Sequence, residues 1–287
     1  MEHYQLVIRD YDKDSLGIGN ILKCLVSALS INEDTFIQCY PDYRYGAYDT
    51  ILDARFIYDP VTNPRIKPEK EHVPVRTCRF MLLYFEEAYQ EDLPNEEVTL
   101  DPIHPQLFHW YFSKSKRIDW HYEPEKIDVR VRARIMETMS KLVFTPIVTY
   151  ATRQWTALFK GNGSSLGLSI RTWKSYHESN VGRPYSMDTY TQKIAEVMEQ
   201  NPGIRTIVLS VDHEDAVGEY MAYLTKTYPM CSYVVLQHPT HLNPIQYAMT
   251  KVLTLAECTY FIGNRISTFT ELVFWFGHCK PKVYPVF

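Results

Sequence analysis

From Leu166 onward the chain alternates short apolar runs with segments of helical spacing, and a regular alternation of this kind leaves few possible folds. Strands are expected at Leu166–Arg171, Thr206–Val211, Tyr233–Leu236, Tyr260–Gly263 and Lys282–Pro285, with helices near 186–200, 215–227, 244–258 and 267–276 between them. Strands joined through helices by short connections build a parallel, doubly wound sheet covered on both faces. Such sheets bind ligands outside the carboxyl ends of their strands. The polar residues that follow successive strands are therefore the candidates for chemistry: Arg171, then Asp212 and His213, then His238, then a hydroxyl cluster beginning at Ser267.

That last cluster belongs to the stretch Tyr260 to Leu272, which reads as a buried strand delivering hydroxyls to a helix N-terminus. Phe261 and Ile262 suit a central strand, Gly263 and Asn264 supply a turn, and Ser267, Thr268 and Thr270 crowd the start of the apolar run Phe269, Leu272, Val273, Phe276. Unpaired first-turn amides and the positive helix end favour an anion there. Arg171, leaving a neighbouring strand, can present a bidentate fork to a phosphate from the other side. The two together describe a diphosphate clamp. Taken singly, each also has a plain structural reading, Arg171 as a surface ion pair and the Ser/Thr cluster as a helix cap.

The first half has a different texture. An opening strand near Tyr4–Ile8 leads through Gly17-Ile18-Gly19-Asn20 into Ile21, Leu22, Leu25, Val26 and Leu29, spaced for the buried face of a helix, and a strand near Thr35–Cys39 follows. Residues 40–75 are rich in tyrosine, proline and aspartate and read as long loops with one short strand near Ile51–Tyr58. Further strands and helices are expected at Cys78–Phe85, Pro105–Ser115, Pro124–Leu142 and Pro146–Phe159. Lys160-Gly161-Asn162-Gly163-Ser164-Ser165 has linker composition, which divides the chain into domains at 1–160 and 161–287. A net charge of −4 gives no basic footprint for nucleic acid. No apolar run is long enough to span a bilayer and no signal-peptide pattern opens the chain, so a soluble, cytoplasmic protein is expected. The six cysteines are scattered without a CxxC pair, which predicts neither disulfides nor a zinc site.

Phe261-Ile262-Gly263-Asn264 with Ser267-Thr268-Phe269-Thr270, the strand-borne Arg171, Val211-Asp212 closing another strand and the opening Gly17-Ile18-Gly19-Asn20 occur in an order that resembles the fucosyltransferase superfamily. That group includes the protein O-fucosyltransferases and the α1,6-fucosyltransferases of nodulation type. The resemblance covers most of the second half and roughly the first thirty residues. It implies an α/β protein of GT-B architecture, with two Rossmann-like domains whose parallel sheets face a cleft, and inverting transfer of a sugar, with fucose as the leading case. It also implies a GDP-linked nucleotide-sugar donor as co-substrate, a glycan or other hydroxyl acceptor, and no metal or further cofactor. By position, Arg171 would contact the donor diphosphate, Ser267, Thr268 and Phe269 would surround the phosphates and nucleoside, and Asp212 would lie near the donor. Gly17, Gly19 and Asn20 would sit on the acceptor side and approach the transferred sugar. Three positions depart from the family pattern: Ser169 replaces a histidine, Thr172 a second arginine, and Thr259 an aspartate. Another donor, such as a UDP-linked pentose or hexose, and a non-catalytic nucleotide-sugar or glycan binder therefore stay open as readings.

Loss of a nucleoside diphosphate makes stabilisation of its developing charge the main catalytic requirement, for which Arg171 is suited. Inversion further calls for a base toward the acceptor hydroxyl. Glu178 and His177 past Arg171, or Asp10 and Asp12 before Gly17, are the candidates. His238 and His241 have no carboxylate or cysteine partner of zinc-site spacing, and His238 is better read as a loop histidine touching nucleotide or acceptor. Asp212 also fits the N-cap of the following helix.

Overall fold

A computed structural model describes residues 3–7, 18–19, 22, 25–26, 29, 36–38, 50–53, 56, 75–78, 122–127, 129–172, 186–264 and 267–286. Two compact units emerge, Met1–Val148 with Asn243–Gln246, and Thr149–Leu242 with Tyr247–Phe287.

In the first unit, β1 (His3–Val7) pairs in parallel with both β2 (Phe36–Gln38) and β3 (Val75–Cys78), giving the order β2-β1-β3. Leu22, Leu25, Val26 and Leu29 are helical and buried, as their spacing predicts, Ile21 lies outside the described residues, and the helix already includes Ile18 and Gly19, which were expected to lead into it. The strand expected from Cys78 ends at that residue among the described ones and begins earlier, at Val75. Of the segment expected as a strand near Ile51–Tyr58, the described residues Ile51–Asp53 and Phe56 show one bridge and a turn and no named strand. Leu52 meets Phe144 in an isolated antiparallel bridge, and the Phe56 amide turns back to the Asp53 carbonyl at 3.0 Å. The helix expected over Pro124–Leu142 is also interrupted: a 3-10 turn, Pro124–Lys126, stops at Ile127, whose ψ of 130° is extended, before α1 (Val129–Ser140) begins. The Arg132 guanidinium donates to the Pro124 carbonyl at 2.8 Å across that break. The expected strand beyond Cys78 and the helix Pro105–Ser115 lie outside the described residues.

The second unit is the doubly wound sheet. After α2 (Pro146–Ala157), the glycines Gly161 and Gly163 adopt φ values of 96° and 87° in the turn that leads to β4 (Ser164–Ile170). Then come α3 (Met187–Gln200), β5 (Ile204–Val211), α4 (Val217–Thr227), β6 (Ser232–Val235), α5 (Pro244–Leu255), β7 (Tyr260–Asn264), α6 (Thr268–Phe276) and β8 (Lys282–Val286). All five strands are parallel in the order β6-β5-β4-β7-β8, so the winding reverses between β4 and β7. Tyr190, Ile194 and Val197 of α3 and Tyr220 and Leu224 of α4 share one core with Leu166, Leu168, Ile207, Leu209 and Ile262. Burial on both faces is why these strands read as unbroken apolar runs.

The opposite face is closed by α5 and α6 at two glycines. A methyl group on Gly167 would come within 3.0 Å of Leu255 and 3.1 Å of the Cys258 sulfur. One on Gly263 would lie 2.5 Å from Thr270 Oγ1. The missing side chain at Gly263 lets the start of α6 fold back onto the end of β7, which holds that helix terminus at the strand ends.

Candidate functional site

The reversal between β4 and β7 is the topological switch point, where a doubly wound sheet opens a crevice at its carboxyl edge. Leu166, Gly167 and Leu168 of β4 lie opposite Tyr260, Phe261 and Ile262 of β7, so the residues leaving both strands emerge side by side. On the β4 side this is Arg171; on the β7 side it is the turn to Ser267 and α6.

Arg171 is half-buried, and its backbone position is fixed: its amide donates to the hydroxyl of Tyr190, a fully buried side chain of α3, at 3.0 Å. Thr172 follows, and both its amide and its hydroxyl donate to Asp212, the amide at 3.0 Å and the hydroxyl at 2.8 Å. The Asp212 amide in turn donates to Ile170 at 3.2 Å. Asp212 is therefore not the N-cap of the helix after it; His213 occupies that place, with no side-chain cap bond. Its carboxylate instead ties the end of β4 to the end of β5, because a carboxylate accepts strongly from two donors on one residue. Thr172, where the resemblance would place a second arginine, has a structural task as the partner of Asp212.

On the β7 side, Ser267 caps α6. Its hydroxyl oxygen accepts from the Phe269 amide at 3.2 Å, and its own amide donates to the Asn264 carbonyl at 3.2 Å. Thr268 and Phe269 are half-buried in the first turn, and Thr270 is buried against Gly263. The cap reading of Ser267 thus holds, and it leaves the helix end beside the β4 terminus.

His238 follows β6, exposed but ordered by two contacts. Its ring stacks on Tyr247 at 4.5 Å, and Nε2 lies 2.8 Å from the Leu242 carbonyl, which can only accept, so Nε2 carries the hydrogen. Tyr247 donates its hydroxyl to the Leu236 carbonyl, and burial with nearby Glu214 pushes that phenol up to about 12. Thr259 sits at the opposite edge of the sheet. It exchanges hydrogen bonds with Ser165, receiving at 3.2 Å and donating at 3.3 Å, at the amino ends of β4 and β7. Its departure from the family pattern therefore lies away from the carboxyl edge that carries Arg171.

Gly19 belongs to the helix of the first unit and is buried there. Asp10, Asp12, Gly17, Asn20, His177 and Glu178 lie outside the described residues. Among the described residues no group of three or more His, Cys, Asp or Glu side chains could hold a metal ion, and no helix is long and apolar enough to cross a membrane.

The structure adds a residue that the sequence reading passed over. Lys251, half-buried on α5, holds its Nζ 4.3 Å from the centre of the Tyr247 ring. Burial, then the charge of Arg171, pull its pKa down to about 8, while Asp212 and Glu214 act the other way. A sequence signal existed: Lys251 is the single charged residue of α5.

No protein-family model matches the sequence, and no curated protein matches it. Solved structures do. The structure of NodZ α-1,6-fucosyltransferase soaked with GDP-fucose shares 13% identity at a TM-score of 0.55, over 96% of this chain and 93% of that one. POFUT1 in complex with GDP-fucose shares 10% identity at a TM-score of 0.53, over 100% and 98%. A point mutant of Arabidopsis thaliana FUT1 in complex with GDP shares 12% at 0.51, over 99% of this chain and 70% of that one. At such identity the likeness is one of fold, and the chain has the α/β, GT-B fold of these fucosyltransferases.

Proposed function

We propose that this chain is an inverting glycosyltransferase that moves a sugar, fucose first among the candidates, from a GDP-linked donor to a hydroxyl of a glycan or similar acceptor. The observation that carries this reading is the pairing of Arg171 with the N-terminus of α6 on adjacent strand ends at the switch point of the sheet. A guanidinium on one side and helix amides on the other suit a diphosphate, and the same groups are placed to stabilise charge as the diphosphate leaves. The fold shared with enzymes whose structures hold GDP-fucose or GDP supports the donor class. Within this reading Ser267, Thr268 and Phe269 contact the phosphates and nucleoside, His238 and Asp212 border the donor, and Gly17, Gly19, Asn20 and Asp12 serve the acceptor side, Asn20 acting there as a catalytic residue with Arg171 and Glu178. Glu178 is the proposed base.

A thermal-shift panel of GDP, UDP, ADP and CDP tests the donor class. A nucleotide at about 100 times its Kd stabilises the folded protein by roughly 2.7 kcal/mol. GDP is expected to give the largest shift; a UDP preference moves the reading to a UDP-sugar donor, and no response to any of the four defeats it. Transfer or hydrolysis of GDP-fucose is then expected to fall roughly 100- to 1000-fold in Arg171→Ala, the scale of losing one preorganised donor to a developing oxyanion. Full activity in that variant removes Arg171 from the mechanism.

A further inference from the structure

Arg171 and Thr172 stand past the end of every ladder that β4 makes. The register with β7 stops at Leu168 and Ile262, and the register with β5 stops at Ile170 and Val211. A chain that leaves its ladder ordinarily frays. Here the two peptide groups that flank the Arg171 Cα are held instead. In the first, the Ile170 carbonyl accepts from the Asp212 amide at 3.2 Å while the Arg171 amide donates to the Tyr190 hydroxyl oxygen at 3.0 Å. In the second, the Thr172 amide donates to both carboxylate oxygens of Asp212 at 3.0 Å, and the Thr172 hydroxyl adds a bond of 2.8 Å. Each residue has only two soft backbone torsions, so fixing the peptide on either side of Arg171 fixes the direction in which its side chain leaves the chain. The anchors are themselves rigid. Tyr190 is fully buried on α3, within the core beneath β4 and β5, and its ring meets Tyr220 edge-on at 6.2 Å. Asp212 follows β5 directly.

We propose that Tyr190 and Asp212 are positioning residues of the donor site, which set diphosphate affinity by aiming Arg171. This rests on the nucleotide-sugar reading and deepens it. Arginine gives up much rotamer freedom when it grips a ligand, and a base that also had to be ordered would add to that loss. With the backbone fixed in the empty protein, only the side-chain torsions remain to be ordered on binding. Preorganisation of this kind is what a supporting side chain contributes to a site. The charge of Asp212 supplies a sign that separates the two roles it could have. A carboxylate near a diphosphate repels it, so removal of the charge alone would tighten GDP. Removal of an anchor weakens GDP.

The probes are GDP and guanosine, measured by calorimetry on the full chain. Tyr190→Phe removes one hydroxyl from the core and is expected to weaken GDP about 3- to 10-fold, the scale of one hydrogen bond. Asp212→Ala removes the second anchor and is expected to weaken GDP about 10-fold. Guanosine, which has no diphosphate, is expected to bind both variants as it binds the natural chain. In an Arg171→Ala background neither substitution is expected to weaken GDP further, because residues that act through one another are not additive. Unchanged or tighter GDP binding in either single variant overturns the proposal. So does an equal loss for guanosine, or the same fold-loss with and without Arg171, since a loosened core would act on all of these alike. If Tyr190→Phe does not fold, Asp212→Ala decides alone; if Arg171→Ala leaves too little GDP binding to measure, the comparison of GDP with guanosine decides. GDP binding that is weakened in Arg171→Ala but intact in Tyr190→Phe and Asp212→Ala leaves the nucleotide-sugar reading standing and this inference refuted. No GDP binding by the natural chain refutes both.

Discussion

A buried ammonium is costly unless something negative meets it, and Lys251 makes that cost measurable in the empty protein. Its folded pKa of about 8 lies below the ordinary 10.5. Between those values the unfolded chain holds more protons than the folded one, so the contribution of Lys251 to stability rises with pH across this window and the penalty is present in full below it. The shift corresponds to at most about 3 kcal/mol. Cys258 works in the opposite direction. Burial pushes its thiol from 9 up to about 12, so the unfolded chain loses that proton first and stability falls as pH rises above 9. The total curve therefore mixes both residues, and only a difference isolates the lysine. Lys251→Met is expected to be more stable than the natural chain at pH 7, by one to about 3 kcal/mol, with the advantage shrinking by pH 10. Denaturant unfolding of both proteins at pH 7, 8.5 and 10 measures this; a difference that does not change with pH would mean that the ammonium is well solvated.

At the scale of elements, the start of α6 matters because two unrelated demands meet there. Ser267 must cap the helix, and in the proposed function the same terminus must meet a phosphate. Its oxygen already accepts from Phe269, yet the hydroxyl hydrogen can still be donated to a ligand. The two tasks separate by substitution. Ser267→Ala removes cap and hydroxyl together and is expected to cost about 1 kcal/mol of stability, whereas Ser267→Gly keeps a serviceable N-cap and costs only a few tenths. Both are expected to weaken GDP several-fold and by similar factors. If GDP affinity followed stability instead, recovering in the glycine variant, Ser267 would be a cap and nothing more. Gly263 explains how so short a turn is possible at all: with no side chain at that position, Thr270 packs against the strand and the helix begins almost directly above it.

Over the whole chain, legibility followed burial. The parallel sheet of the second unit was readable because strands covered on both faces must be apolar throughout, and each was followed by a polar group at the edge where ligands bind. The first unit offered no such pattern around Ile51–Tyr58, where two hydrophobic residues serve a bridge and a turn rather than a strand, nor at Ile127, an apolar residue inside a helical pattern whose extended backbone breaks it. Arg171 and Ser267 were legible as residues at strand ends. Lys251 was legible only as the single charged residue of α5, one turn past Tyr247 on the same helix, a pattern that ordinarily marks a solvated face. Thr259 misled in the other direction, because proximity in sequence to the phosphate motif hid its place at the far edge of the sheet. This separation of edges yields a test of the site that needs no substitution. Amide hydrogen exchange at short labelling times reports local opening rather than global unfolding. With saturating GDP, exchange is expected to slow at residues 171–172, 212–214 and 267–270, which lie at the carboxyl edge, and to stay unchanged at 163–165 and 257–259 on the amino edge. Slowing confined to the amino edge, or spread evenly through the second unit, would place the nucleotide elsewhere and take with it the clamp built from Arg171 and α6.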